Sequence, residues 1–151
     1  MTDDWFELLR ALHLGEVRFL VVGTHALAIH GAPRATQDID VWVDPDRRNA
    51  ERCWRALSAF GAPLDTLPIT VEDLSTPGLV VQLGLAPNRV DILTAISGVA
   101  SFHEAWATRV EHEVRGLRLA FLGREAFVRN KRATGRPKDL ADLESLGEGG
   151  A

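Results

Sequence analysis

The chain has 151 residues, of which 46% are hydrophobic and 25% charged, values that exclude wholesale disorder and fit one domain with its own core. Its formal charge of −4, from 17 basic and 21 acidic residues, argues against broad, non-specific binding of nucleic acids. The single cysteine, Cys53, excludes an intrachain disulfide, and the lack of a signal peptide or a long apolar stretch predicts a cytoplasmic protein without a membrane segment.

Helical and alternating patterns of apolar residues divide the chain into helices and strands. In the first half, a helix is predicted over residues 3–13, a buried strand over 18–22, a short helix over 26–30, a strand over 39–43 and a helix over 46–60. In the second half, the pattern predicts helices over 71–74, from Ser97 or Ser101 to Trp106, over 124–133 and over 137–146, and strands over 79–83, 89–93, 110–114 and 117–121. Thr24 is the candidate cap of the short helix that follows the first strand. The last four strands are predicted to form two hairpins, of which the first is joined by residues 84–88.

Two carboxylates one residue apart inside an apolar strand, Asp38 and Asp40, are the first sign of chemistry. Strand residues at i and i+2 face the same side, roughly 7 Å apart along the chain, so these like charges oppose each other unless a cation lies between them. Divalent cations such as Mg²⁺ take carboxylate oxygens as ligands. The pair therefore indicates a metal-dependent phosphoryl or nucleotidyl transfer site. The alternative is an edge strand that ends with both acids in solvent.

A third acid, Asp91, lies in the predicted strand over 89–93. Taken alone, it fits an ordinary edge-strand residue. Three carboxylates on neighbouring strands, however, could hold two metal ions about 3.5–4 Å apart for an in-line displacement at phosphorus. Upstream of the acids, Gly23 permits a sharp turn from strand to helix, and the amides at a helix start favour an anion.

The order of these motifs resembles the nucleotidyltransferase superfamily related to DNA polymerase β, particularly its small bacterial members from toxin–antitoxin and abortive-infection loci. That superfamily has an apolar residue, Gly, then Gly or Ser, followed by an apolar-flanked Asp-x-Asp and a later strand with a third acid. The matching segments are Val22-Gly23-Thr24, Asp38-Ile39-Asp40 and Asp91. Residues 31–38 resemble the Gly-x-x-Arg-x-Thr-x-Asp lead-in of these small members, and residues 131–143 resemble their closing Lys…Arg-x-Lys-Asp-x-x-Asp-Leu helix.

The resemblance implies an α/β (α+β) nucleotidyltransferase fold, with a mixed central β-sheet flanked by helices and a short C-terminal helical segment. It implies one nucleotidyltransferase-like domain over residues 1–146, in which the C-terminal helices over 124–146 close the site. Residues 147–151 are expected to form a flexible tail.

The resemblance also assigns roles to the motif residues. Asp38, Asp40 and Asp91 are the implied catalytic residues and ligands of Mg²⁺, with a two-ion site as an option. Gly23 and Thr24 are expected to contact the phosphates of a nucleoside triphosphate substrate. Thr24 departs from the usual Gly or Ser: it keeps a hydroxyl, but its β-branched side chain crowds the turn, which bears on triphosphate affinity more than on metal binding.

Basic residues supply the countercharge that a polyanionic substrate needs. Lys131 and Lys138 are the predicted phosphate partners within a basic C-terminal segment whose other members fit a solvated helix face. Arg34 is a further phosphate ligand or, alternatively, an ion-pair partner of the paired strand acids. Asp139 and Asp142 are expected to pair with nearby Arg or Lys and to fasten the last helix.

The predicted function is therefore magnesium-dependent transfer of a nucleoside monophosphate from an NTP to an acceptor. The acceptor stays open among an RNA end, a protein hydroxyl and a small molecule. The resemblance adds a partner protein, with this chain as the toxin of a toxin–antitoxin pair. The alternative is a catalytically inactive nucleotidyltransferase-fold module that acts by binding, or a toxin–antitoxin subunit of that kind.

Overall fold

The computed structural model describes residues 1–62, 69–84 and 88–149, so the predicted connection over 84–88 and the predicted tail over 147–151 lie partly outside the described residues. The described helices are α1 Asp3–Leu14, α2 Gly23–Ile29, α3 Arg47–Phe60, α4 Val71–Leu74, α5 Phe102–Ala107, α6 Arg124–Thr134 and α7 Pro137–Ser145. The described strands are β1 Phe19–Val22, β2 Asp38–Val43, β3 Val80–Leu83, β4 Arg89–Leu93, β5 Val110–Val114 and β6 Leu117–Phe121. None of these described helices has both the length and the apolar character that a membrane span needs.

Within the described ranges, six strands form one mixed sheet in the order β3-β4-β2-β1-β6-β5. The pairs β2/β4 and β1/β6 are parallel, whereas β1/β2, β3/β4 and β5/β6 are antiparallel. β2 is therefore an interior strand, with β1 on one side and β4 on the other. This arrangement confirms the predicted mixed central sheet flanked by helices.

Two hydrophobic cores cover the two faces of the sheet, because successive strand residues point to opposite sides. The first core joins α1, α3 and α4 to the sheet through residues such as Leu8, Leu9, Leu57, Leu74, Val21, Ile39, Val41 and Ile92. The second core joins α2, α5 and α6 to the other face through Leu20, Trp42, Leu27, Phe102 and Phe127. Because Asp38 and Asp40 alternate with Ile39 and Val41, both acids share the face of the second core.

The main difference from the predicted elements is the start of α2. This helix begins at Gly23 rather than at Ala26, and Val22 is its N-cap residue without a side-chain cap. Gly23 has a φ of 65°, a left-handed value that glycine adopts without steric penalty, so the chain passes from β1 into α2 within one residue. Thr24 consequently lies inside the first turn instead of capping it.

Candidate active site

Three acids predicted from separate parts of the sequence converge at the centre of the sheet. The parallel register of β2 and β4 pairs Asp40 with Asp91 and places Arg89 directly across from Asp38. One carboxylate oxygen from each of the three acids lies within 4.8 Å of the others. Asp91 is buried at 8% exposure, and β2 is interior, so the alternative of two solvent-facing acids on an edge strand is wrong.

Arg89 bridges two of the three acids. Its Nη2 donates to Asp38 Oδ2 at 2.6 Å and to Asp91 Oδ2 at 3.3 Å. Its Nε also lies 3.2 Å from Asp91 Oδ1, yet this approach is not aligned as a hydrogen bond, and both atoms are buried without a hydrogen-bond partner. The charges of Asp91 and Asp38, opposed in part by desolvation, raise the pKa of Arg89. One guanidinium thus partly neutralises two of the three clustered carboxylates.

The side of the site next to Asp38 is open. The Asp38 side chain is 30% exposed, whereas that of Asp91 is 12% exposed. Thr36 Oγ1 donates to Asp38 Oδ1 at 2.9 Å and fixes the orientation of this carboxylate. A cavity of about 330 Å³ adjoins it, lined by residues 34–38 and Arg89. A larger cavity of about 810 Å³ lies between α1 and α3, but none of the three acids lines it, so cavity size alone does not locate the chemistry.

Burial and the neighbouring acids oppose the ionisation of Asp40. Burial, together with the negative charges of Asp38 and Asp91, raises the pKa of Asp40 to about 7, although the positive charge of Lys131 acts in the opposite direction. A carboxylate titrating at such a pH binds a proton unless more positive charge arrives. The cluster is therefore arranged to accept a further cation.

Gly23 lies directly beside Asp40. The antiparallel register pairs Val22 with Asp40, and a Cβ placed on Gly23 would collide with Asp40 Oδ2. Both the left-handed φ and the lack of space therefore require glycine at this position. Thr24 follows in the first turn of α2, where it is partly buried.

The predicted phosphate ligands Lys131 and Arg34 are held by acids of α7. Lys131 is buried, and its Nζ lies 3.3 Å from a carboxylate oxygen of both Asp139 and Asp142. Arg34 donates through Nε and Nη2 to the two carboxylate oxygens of Asp142, at 2.9 and 3.2 Å. The alternative that Arg34 pairs with Asp38 or Asp40 is wrong, because Arg34 forms its ion pair with Asp142 instead.

These contacts confirm that Asp139 and Asp142 fasten the last helix. Arg136 completes the set, since its Nε donates to Asp139 Oδ2 at 2.7 Å. Burial alone would raise the pKa of Asp139, but the hydrogen bonds from Arg136 and the charge of Lys131 outweigh it, so the pKa is lowered. Lys138, by contrast, is exposed and makes no ion pair within the described part of the chain.

Two basic residues beside the acids escaped prediction from the sequence. Arg89 lies two positions before Asp91 in β4, so the strand period alone places both on one face; its pairing with Asp38 depends on the β2/β4 register. Arg136 was recognised only as part of the C-terminal motif. Its pKa is raised mainly by its hydrogen bond to Asp139, and the charge of Asp40 adds to the effect, which puts Arg136 within electrostatic reach of the cluster.

The residues present fit a divalent cation. Asp91 Oδ1 is buried and accepts no hydrogen bond from the described residues, the three carboxylates supply hard oxygen ligands within 4.8 Å of one another, and added positive charge would complete the ionisation of Asp40 at neutral pH. Asp38, Asp40 and Asp91 are therefore the side chains that could hold such an ion.

The sequence also matches the model of a protein family. Residues 4–147 match the family described as nucleotidyltransferase of unknown function (DUF6036). The chain belongs to this nucleotidyltransferase family. A search of curated proteins finds no significant match.

Three solved structures share this fold, and two of them are described as a nucleotidyltransferase or a nucleotidyltransferase-like protein. A putative nucleotidyltransferase from Thermotoga maritima is 16% identical with a TM-score of 0.58, over 95% of this chain and 88% of that one. The antibiotic-resistance factor ANT(2'')-Ia is also 16% identical, with a TM-score of 0.57 over 95% of this chain and 80% of that one. An antigenic nucleotidyltransferase-like protein from Paracoccidioides brasiliensis is 18% identical, with a TM-score of 0.53 over 96% and 73% of the two chains. At these identities the likeness shows the fold alone, whereas the family supports nucleotidyl transfer as the general activity.

Proposed function

We propose that this protein transfers a nucleoside monophosphate from an NTP to an acceptor hydroxyl in a reaction that needs Mg²⁺. The observation that carries the proposal is the convergence of Asp38, Asp40 and Asp91 beside the Gly23 turn. A purely structural role gives no reason to keep three clustered acids on one face with one bridging cation, because like charges at such distances are destabilising.

Asp38, Asp40 and Asp91 would hold the metal in this proposal. When bound, Mg²⁺ neutralises the acids and stabilises charge on the phosphate oxygens as a Lewis acid. Asp91 takes the proton of the acceptor hydroxyl, a role that its unpartnered Oδ1 supports. The acceptor oxygen then bonds to the α-phosphorus, while the bond from this phosphorus to the α–β bridging oxygen breaks. Pyrophosphate leaves with the electron pair of that bond.

The phosphate side of the proposal rests on the turn after β1 and on the basic residues around the acids. Gly23 lets the backbone approach the triphosphate, and Thr24 offers a hydroxyl. Lys131 and Arg34 supply positive charge from their ion pairs with the acids of α7, and Lys138 is proposed to meet the phosphates from the exposed surface of that helix.

The acceptor is proposed to be an RNA end, a protein hydroxyl or a small molecule, and the resemblance to toxin–antitoxin proteins extends the proposal to a toxin with a partner protein. Growth arrest on expression of the wild-type chain, relieved by Asp40→Asn, would support the toxin role. Equal growth of both strains would contradict it.

The transfer itself is tested with two labelled forms of each NTP. Incubation of the chain with lysate and Mg²⁺ should move label from α-labelled NTP onto an acceptor, and no label from γ-labelled NTP, because pyrophosphate carries the latter away. Asp40→Asn should abolish the transfer. Arg118→Gln should retain it, since Arg118 lies on β6, is 73% exposed and pairs only with Glu111 among the described acids. Transfer of γ-label would instead indicate a kinase-like reaction and overturn the proposal.

The inactive binding module is the second candidate function, because basic side chains around the acids are already engaged in ion pairs. Arg89 is engaged by Asp38 and Asp91, and Lys131 by Asp139 and Asp142. Thermal melts separate the two candidates. A melting temperature unaffected by Mg²⁺, NTP or both would favour the binding module, whereas a Mg²⁺-dependent rise that Asp40→Asn removes would favour the enzyme.

A further inference from the structure

Arg89 occupies the middle of the acid cluster. It lies across from Asp38 in the β2/β4 register and contacts both Asp38 and Asp91 within 3.3 Å. The same two acids belong to the group whose oxygens could converge on a metal. An arginine and a metal ion would therefore draw on the same carboxylates.

We infer that Arg89 is an internal counter-cation that competes with the divalent cation and so sets the metal affinity of the site. The inference rests on the proposed function, because it takes Asp38 and Asp91 as metal ligands. In the metal-free protein, Arg89 limits the repulsion among three acids. When a divalent cation binds, the carboxylates exchange the guanidinium for the ion, and the Arg89 ion pairs are lost.

The surroundings of Arg89 allow this exchange. Its side chain is 36% exposed, so leaving the acids does not require burial of an unpaired charge. The adjoining cavity of about 330 Å³, which Arg89 itself lines, offers room for a different rotamer. The misaligned contact of its Nε with Asp91 Oδ1 is the weakest of its three contacts with the acids, because neither atom completes a hydrogen bond there within the described residues.

The competition predicts a gain of metal affinity when the guanidinium is removed. Two partly exposed ion pairs are lost on exchange, so Arg89→Gln should bind Mn²⁺ roughly 5- to 30-fold more tightly than the wild type. The metal-free variant should melt at a lower temperature, because Asp38 and Asp91 then lack their counter-cation. Compared with the wild type, Arg89→Gln should thus be less stable without metal and should gain more stability when metal binds.

The experiment measures Mn²⁺ binding to the NTP-free protein by calorimetry, with thermal melts in parallel. Arg118→Gln is the matched control and should bind Mn²⁺ as the wild type does, since it removes one exposed arginine from β6, two strands away from β2, where it pairs with Glu111. Arg89→Lys keeps the charge but not the two-pronged contact, so it should tighten binding by a smaller factor. If Arg89→Gln fails to fold, the lysine variant carries the test. Unchanged or weaker binding by the folded variant would overturn the inference.

Failure of the inference and failure of the proposed function give different results. Tighter Mn²⁺ binding by Arg89→Gln without any nucleotidyl transfer by the wild type would sustain the inference about Arg89 and refute the enzyme. Nucleotidyl transfer by the wild type together with unchanged Mn²⁺ affinity of Arg89→Gln would sustain the enzyme and refute the inference.

Discussion

Replacement of Lys131 by methionine tests how far the ion pairs at the base of α7 hold the C-terminal helices in place. The Lys131 side chain is 8% exposed, and its partners Asp139 and Asp142 are 0% and 4% exposed, so all three charges are shielded from water. Methionine keeps the apolar stem that packs near Phe127, over whose ring Lys131 Nζ lies at 5.5 Å. The substitution therefore removes the charge with little loss of volume.

The loss in the free energy of unfolding depends on the ion pairs that Asp139 and Asp142 retain. Removal of one partner of a buried ion pair costs about 3–5 kcal/mol, because the other charge stays buried and uncompensated. Here Asp139 keeps Arg136 and Asp142 keeps Arg34, although these arginines are 56% and 41% exposed. We therefore expect the lower end, about 3 kcal/mol, which for a chain of this size lowers the melting temperature by roughly 6–12 °C.

Urea denaturation and thermal melts of Lys131→Met measure this loss, with Arg132→Met as the control on the same helix. Arg132 is exposed and, among the described residues, donates only to the Glu148 carbonyl at 3.3 Å, so its removal should change the free energy of unfolding by less than about 0.5 kcal/mol. The variant Asp142→Asn and the double variant complete a cycle that isolates the Lys131–Asp142 coupling. Equal stability of Lys131→Met and Arg132→Met would refute the reasoning.

Three further predictions concern the turn after β1. Gly23→Ala should destabilise the protein by about 1–3 kcal/mol and remove the Mg²⁺-dependent rise in melting temperature, because its Cβ meets the Asp40 carboxylate. Gly116→Ala is the control, since it has a similarly positive φ of 85° but no atom within 4 Å; an equal loss in both variants would show that the collision is unimportant. Burial lowers the pKa of His25 to about 4, so the native state resists protonation that the unfolded chain accepts near pH 6.5. Stability should therefore fall as the pH falls from 6.5 to 4, by up to roughly 3 kcal/mol, and His25→Gln should lose less over the same window in urea titrations. Parallel curves for both proteins would contradict this assignment. Thr24→Ser should lower the dissociation constant for NTP measured by calorimetry, because it keeps the hydroxyl and removes the methyl group that crowds the turn; weaker binding would show that the methyl group makes a useful contact.

The acids could be brought together from the sequence because their signal is local. Asp38 and Asp40 stand at i and i+2 in an apolar run, which fixes them on one face of a strand, and Asp91 stands in a similar run. The resemblance then assigned Asp91, on a separate later strand, to the same site. The fold class followed from the resemblance, and the observed mixed sheet confirms it.

The parts that could not be predicted depend on relations between distant segments. The contact of Arg89 with Asp38 joins residues 51 positions apart and exists only in one register of β2 against β4. The pairing of Arg34 with Asp142 spans 108 positions and depends on where α7 packs. The early start of α2 depends on the backbone conformation of Gly23, which a helix propensity does not encode. The catalytic and binding roles of these residues stay predictions.

The register of β2 against β4 makes the acid cluster an all-or-none structure. Asp40 faces Asp91 only because the two strands align as they do, and a slip of one residue would turn Asp91 into the opposite core and bring Val90 opposite Asp40. No intermediate register connects these two arrangements, because each side chain of a strand points to one face of the sheet or to the other. Copies with a slipped register would thus lack the acid cluster altogether instead of holding a distorted one.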